Sequence, residues 1–125
     1  MEQKGIKRIP TDCGDATCPS CVVAGDYIYL AHHAGGFDQR EIKHQMRATL
    51  DRAQKALEQA GASLKDMVQI HLYLYDFADF EGAIEVLNEY FAPDCFPARM
   101  TSTSRFLDEE CLCQIDGVAH KKRED

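Results

Sequence analysis

Residues 67–75 read MVQIHLYLY. Val68, Ile70, Leu72 and Leu74 alternate with Gln69, His71, Tyr73 and Tyr75. A period of two sends successive side chains to opposite faces, so the spacing predicts a strand with one apolar face and one semi-polar face. The period changes on both sides of it. Over residues 38–60 the apolar positions Ile42, Met46, Leu50, Ala53 and Leu57 are spaced for one side of a helix. Asp38 with Glu41 resembles a capping box, and Gly61 stands where a C-terminal glycine belongs. A second helix is expected over residues 79–91, with Phe80, Ala83, Ile84, Leu87 and Phe91 on one side and Pro93 marking its end.

Working outward, VVAGDYIYLAHH (22–33) reads as a hairpin turning at Gly25-Asp26. CLCQIDGVAH (111–120) reads as a late strand after a polar turn at Asp108-Glu109-Glu110, FPARMTSTS (96–104) as another, and GIKRI (5–9) as an edge strand. The order is three strands, a helix, a strand, a helix and two strands. That order predicts an α+β fold in one domain, residues 1–125, with one mixed sheet and both helices packed on one face. The other face, with Tyr73 and Tyr75, suits a subunit interface, and a chain of 125 residues has much to bury by self-association.

The net charge of -7 disfavours a nucleic-acid partner, since phosphate binding needs a basic face. The one basic cluster, Lys121-Lys122-Arg123, is followed by Glu124-Asp125 and is expected to be a frayed tail. No apolar run approaches the ~20 residues needed to cross a bilayer, and MEQKGIKRIP does not read as a signal peptide. The expectation is a cytoplasmic protein with no membrane partner.

Arg99 follows Pro97-Ala98. By alternation it shares a face with Thr101 and Thr103, while Ala98, Met100 and Ser102 point the other way. Its planar fork of donors suits a carboxylate, either an acidic side chain of this chain or a ligand. Asp116 sits mid-strand, where acidic residues are depleted, beside a glycine that permits close approach of a backbone or a ligand. It is an edge or ion-paired residue, or a carboxylate that orients a water. His32 and His33 end a strand and point to opposite faces, so one of them can line a pocket. Cys13, Cys18 and Cys21 have a spacing known from iron–sulfur ligation, but no fourth ligand is evident. Cys-Pro-Ser-Cys lacks the βαβ context of a redox pair. No metal site and no cofactor are expected.

Three segments carry a resemblance. GASLKDMVQIHLYLYDFADF, FPARMTSTS and CQIDGVAH, in that order, resemble the RidA/YjgF family, also called the L-PSP or perchloric-acid-soluble family, over roughly residues 21–120. The resemblance implies a chorismate-mutase-like fold and a homotrimer with three clefts between subunits. It also implies hydrolysis of reactive 2-imino or 2-enamino acids to 2-keto acids and ammonia. Under it, Arg99 would grip the substrate carboxylate with Thr101 beside it, His33 and Cys18 would line the cleft, and Asp116 would position the water. This chain departs from the family pattern in four places. Asp116 replaces a longer glutamate, Ala31-His32-His33 stands for Ser-Gly-Gln, an N-terminal tyrosine common in the cleft has no counterpart here, with Cys18 lying nearest, and Ile84 stands where an asparagine is found in many members. These departures keep a second reading open, a non-catalytic trimer that binds a small carboxylate metabolite. A ribonuclease role has also been attached to the family, and the acidic charge argues against it here.

Overall fold

The structure is a computed structural model that describes residues 4–11 and 13–123. Its strands are β1 (Ile6–Ile9), β2 (Cys21–Ala24), β3 (Tyr27–His33), β4 (Met67–Leu74), β5 (Ala98–Thr103) and β6 (Cys113–His120), and its helices are α1 (Ile42–Gln59) and α2 (Phe80–Tyr90). One mixed sheet runs β1-β2-β3-β6-β4-β5. Every neighbouring pair is antiparallel except β4 with β5. The last strand in sequence therefore lies in the middle, between β3 and β4. Gly25 takes a φ of 60° in the two-residue β2–β3 turn, a conformation that favours glycine.

The core forms between the sheet and the two helices. Met46, Leu50, Ala53 and Leu57 of α1 and Ala83, Val86 and Leu87 of α2 bury against Ile70, Leu72, Leu74 and Ile115. Burying one such aliphatic side chain stabilises the fold by about 1.5–3 kcal/mol. Gln45 is a buried polar exception that knits α1 to the loop before β6. Its Nε2 donates to the carbonyls of Gln39 (3.0 Å) and Glu110 (2.8 Å), and its Oε1 accepts from the Leu112 amide at 2.8 Å.

The helix boundaries are tighter than the periodicity predicts. Glu41 alone caps α1, accepting from the Lys43 amide, while Asp38 meets His44 Nε2 at 2.9 Å. A one-turn 3-10 helix, Phe77–Asp79, leads into α2. Gly61 follows the α1 C-cap with a φ of 81°, as its position suggests.

Two expectations fail for identifiable reasons. Val68, placed in the core by alternation, is 48% exposed. The β4–β6 register slips between Met67 and Gln69, so Met67 takes the buried position and Val68 is turned out. Nor are residues 121–123 a frayed tail. The Lys121 amide donates to the Asp26 carbonyl (2.8 Å) and the Arg123 amide to Asp26 Oδ1 (2.9 Å). Arg123 Nη1 donates to the Ala60 carbonyl at the end of α1 (2.9 Å), a cation placed where a helix terminus favours one. Glu124 and Asp125 lie outside the described residues.

Candidate functional site

Arg99 lies on the edge strand β5. The register Ile70↔Arg99, Leu72↔Thr101 and Leu74↔Thr103 places all three β5 residues on the helix-side face, as alternation predicts. Arg99 Nε donates to Thr101 Oγ1 at 3.0 Å, and the guanidinium carbon lies 5.5 Å from the centroid of Phe80, the first residue of α2. Among the described residues no acidic side chain stands within ion-pair distance of it. Instead the ion pairs join Arg40 to Glu110, Lys43 to Glu85, His44 to Asp38 and Arg47 to Glu89.

A pocket of about 200 Å³ opens at the far end of β3. It forms because β2 begins at Cys21, and the Ala31 amide makes the last rung to the Ser20 carbonyl (3.1 Å). Beyond that rung β3 continues to His33 with no β2 residue beside it. Cys18, Ser20, His33, Phe37, Arg52 and Gln114 are among the lining residues. The β3–β6 register shifts between Leu30 and His33, so His33 pairs with Ile115 on the helix side. His32 is exposed on the other side and also reaches the pocket rim. His33 Nε2 lies 3.1 Å from the Ser20 carbonyl oxygen, which can only accept, and this assigns a proton to Nε2. Asp15 also borders the pocket, but its carboxylate accepts from the Thr17 hydroxyl and amide, and these bonds hold its pKa below the ordinary value.

Asp116 occupies the open face of the central strand β6. It is not an edge residue, and among the described residues it has no ion pair: the Tyr73 hydroxyl donates to Oδ2 at 2.8 Å. Burial, then that bond, pushes the Tyr73 hydroxyl above its usual pKa. Tyr73 stacks on His71 with centroids 3.9 Å apart, and His71 Nε2 lies 2.8 Å from Ser102 Oγ. The close approach at Gly117 is to backbone, since a Cβ there would fall 2.2 Å from the Gln69 carbonyl oxygen. The β6 side chain that lines the pocket is Gln114, one pleat earlier on the same face.

The structure thus brings Cys18 and His33 together and sets Arg99 with Thr101 apart from them. β3 and β5 are separated by β6 and β4, about 14 Å at strand spacing. Asp116 stands between, on the opposite face from Arg99. Sequence reasoning missed Ser20 and Gln114. The strand pattern held a signal for Gln114, because it shares a face with Asp116.

The cysteine loop gathers no ligand set. Cys18 borders the pocket, whereas Cys21 is buried with its Sγ toward the Ala56 carbonyl at 3.7 Å. Among the described residues no three His, Cys, Asp or Glu side chains converge to hold a metal ion. Burial raises the pKa of the Cys21, Cys111 and Cys113 thiols, that of Cys113 to about 12.

This fold has known counterparts. The family model described as Endoribonuclease L-PSP matches residues 19–121. The chain belongs to the L-PSP (RidA/YjgF) family. An L-PSP relative, a RutC family protein of Pyrococcus abyssi, is 31% identical over 107 residues, 81% of this chain and 84% of that one. The 3-aminoacrylate deaminase RutC of Acinetobacter baylyi is 37% identical over 76 residues, 61% of this chain and 60% of that one. The structure of a yjgF family protein from Streptococcus pyogenes superposes with a TM-score of 0.86 at 27% identity, covering 97% of this chain and all of that one. These bear out the resemblance and the fold class it implies. Among the described residues no helix is long and apolar enough to cross a membrane.

Proposed function

We propose that this chain hydrolyses 2-imino or 2-enamino acids to 2-keto acids and ammonia, in clefts between the subunits of a cytoplasmic homotrimer. The observation that carries the proposal is Arg99, a guanidinium steadied by a hydroxyl and a ring, with no acidic partner among the described residues. Such a group is placed to take a ligand carboxylate. The separation of Arg99 from the pocket supports a site shared between chains. Arg99 and Thr101 of one subunit would face the Cys18 and His33 pocket of the next. Self-association would also cover the open sheet face, where Tyr27, Tyr29, Val68 and Met100 are exposed. Likeness to a 3-aminoacrylate deaminase supports the reaction class.

In the reaction, a water adds to C2 of the imine, the carbinolamine forms, and ammonia leaves as C2 becomes a carbonyl. Asp116 is the proposed water-positioning carboxylate, with Tyr73 holding one of its oxygens. An endoribonuclease activity, which the family description names, suits a chain of net charge -7 poorly.

One observation favours the second reading, a trimer that binds a small carboxylate without turnover. The β6 side chain lining the pocket is Gln114, an amide that can hold a water but cannot take its proton. The experiment generates 2-imino acids in situ with an amino-acid oxidase and follows keto-acid release. Under the enzyme reading wild type accelerates release and Asp116→Asn removes most of that rate. If wild type and Asp116→Asn are equally inert and 2-keto acids still bind, the binding reading replaces it.

A further inference from the structure

At the opposite end of β3 from His33, Arg123 carries a fork of donors that nothing in the described chain takes up. The β3–β6 ladder runs to Tyr27↔His120, and the Lys121 amide adds one more rung to the Asp26 carbonyl. The Arg123 amide then meets Asp26 Oδ1, and the side chain reaches the end of α1, where Nη1 donates to the Ala60 carbonyl. Gly61 leaves room for this, since a Cβ there would stand 3.2 Å from Nη1. The other two nitrogens, Nε and Nη2, are buried and have no hydrogen-bond partner among the described residues. In Arg47 the same two nitrogens grip both oxygens of Glu89. Leaving buried donors of a charged group unmatched is costly, so the vacant edge calls for an oxyanion. The charge is felt inside the fold: burial raises the pKa of the Cys21 thiol, and Arg123 works against that rise.

A groove of about 950 Å³ runs past this arginine, between the end of α1 and the segment that leads into β1. Its lining includes three cations, Lys4, Lys7 and Arg123, in a chain of net charge -7. The one acid that lines it, Asp26, has Oδ1 engaged by the Arg123 amide. We infer that this groove is a second anion site, separate from the pocket that Cys18 and His33 line. Its ligand is a small molecule ending in an oxyanion, a carboxylate or a phosphate, with two oxygens side by side on Nε and Nη2. The rest of the ligand lies along Lys4 and Lys7. Both fork nitrogens are shielded from solvent, so binding goes with a small movement of the Arg123 segment, which lies beyond the end of β6.

The test is an NMR titration of the full chain with inorganic phosphate and, in a parallel arm, with acetate. Wild type is expected to show saturable shifts of the Arg123 Nε–H signal and of the Gly25, Asp26 and Gly61 amides. The arm that saturates at the lower concentration tells phosphate from carboxylate. Arg123→Gln should abolish the amide shifts, and Arg99→Lys should leave them in place. Arg123→Gln also loses the Ala60 bond, so its melting temperature is measured beside the titration. If that variant unfolds, the double variant Lys4→Gln/Lys7→Gln decides. Both lysines are exposed, and their loss should weaken binding about twofold to fivefold. No saturable shift in wild type with either anion, shifts retained in folded Arg123→Gln, or unchanged affinity in the lysine variant overturns the inference. So does binding that appears only in Glu124→Gln/Asp125→Asn, since the fork would then belong to those acids. None of these outcomes touches the function proposed for Arg99.

Discussion

Arg47 and Arg99 are held by opposite means in two regions of the molecule. Arg47 lies where α1 meets α2, and gives Nε and Nη2 to the two oxygens of Glu89 at 2.9 and 2.8 Å. Lys43 and Glu85 pair beside it. On β5, Arg99 gives Nε to a neutral hydroxyl and leans on the Phe80 ring. In the first region the chain neutralises its own cations. In the second it supplies a cation and, among the described residues, no anion. With 21 acidic residues available, an arginine's sequence context cannot say which kind it is. The difference appears only once the acids have been placed, and under the proposed function it makes the strand edge, where Arg99 lies, the place for a ligand's carboxylate.

Carboxylates offer a similar contrast, Glu89 bonded to Arg47 on the helical surface and Asp116 to Tyr73 on the open face of β6, and removing each in turn should give the largest difference. Asp116→Asn is expected to lower the rate of keto-acid release by about 10²–10⁴-fold, the usual contribution of a group that orients or deprotonates a water. Glu89→Gln should leave the rate where it is. Equal losses in the two variants would break the comparison. A gain in Gln114→Glu would sharpen it, by showing that a carboxylate at the pocket wall does the work better than one a pleat away.

Next in size is the arginine pair itself. Arg99→Lys keeps the charge and loses the fork, so the affinity for 2-keto acids should fall about tenfold to a hundredfold. Arg47→Lys should not alter it. Titration of both variants with 2-ketobutyrate decides this, and unchanged binding in Arg99→Lys would place the anion elsewhere.

Thiol reactivity tests the pocket loop against the core. Cys13 and Cys95 are exposed and should react first with a thiol reagent in the native protein. Cys21, Cys111 and Cys113 should react only on unfolding, because burial raises their pKa values and blocks access. Labelling of Cys18 should slow when a 2-keto acid is present, since that residue borders the pocket.

The smallest effect concerns the helical surface. Hydrogen bonds from Arg47 hold the Glu89 carboxyl below its ordinary pKa of 4.5. The folded state thus binds that proton less readily than the unfolded state does. Any stabilisation by the pair is present above the ordinary value and is lost as pH falls through the lower folded one. The difference in melting temperature between wild type and Glu89→Gln should be slight at neutral pH, shrink with added salt, and vanish in acid.

Much of the architecture was legible. The period of two in residues 67–75 and the helical spacing on either side give β4, α1 and α2 within a few residues. Alternation along β5 assigns Arg99, Thr101 and Thr103 to one face, as observed. Register slips were not legible. The irregularity at Met67/Gln69 turns Val68 outward, and the one between Leu30 and His33 brings His33 to the helix side. Each depends on how the partner strand is seated. The pocket was hidden for the same reason, because it exists where β3 outruns β2 and because Gln114 arrives on a strand that is distant in sequence. The anchoring of Arg123 to Asp26 and Ala60 spans 97 and 63 residues, beyond any local pattern.

By itself the sequence determined what neighbouring residues can settle. Side-chain periodicity chose helix or strand, glycines marked the turn and the helix end, and Pro-Ala-Arg within an ordered set of segments resembled one family. These follow from local backbone geometry and from the chemistry of single side chains. Tertiary structure alone decided which charges are matched within the chain. It left Arg99 with no acidic side chain within ion-pair distance among the described residues, and gave Asp116 to Tyr73. Pairing energies depend on distances of a few ångströms between residues far apart in sequence, and those distances come into being only when β6 is inserted between β3 and β4.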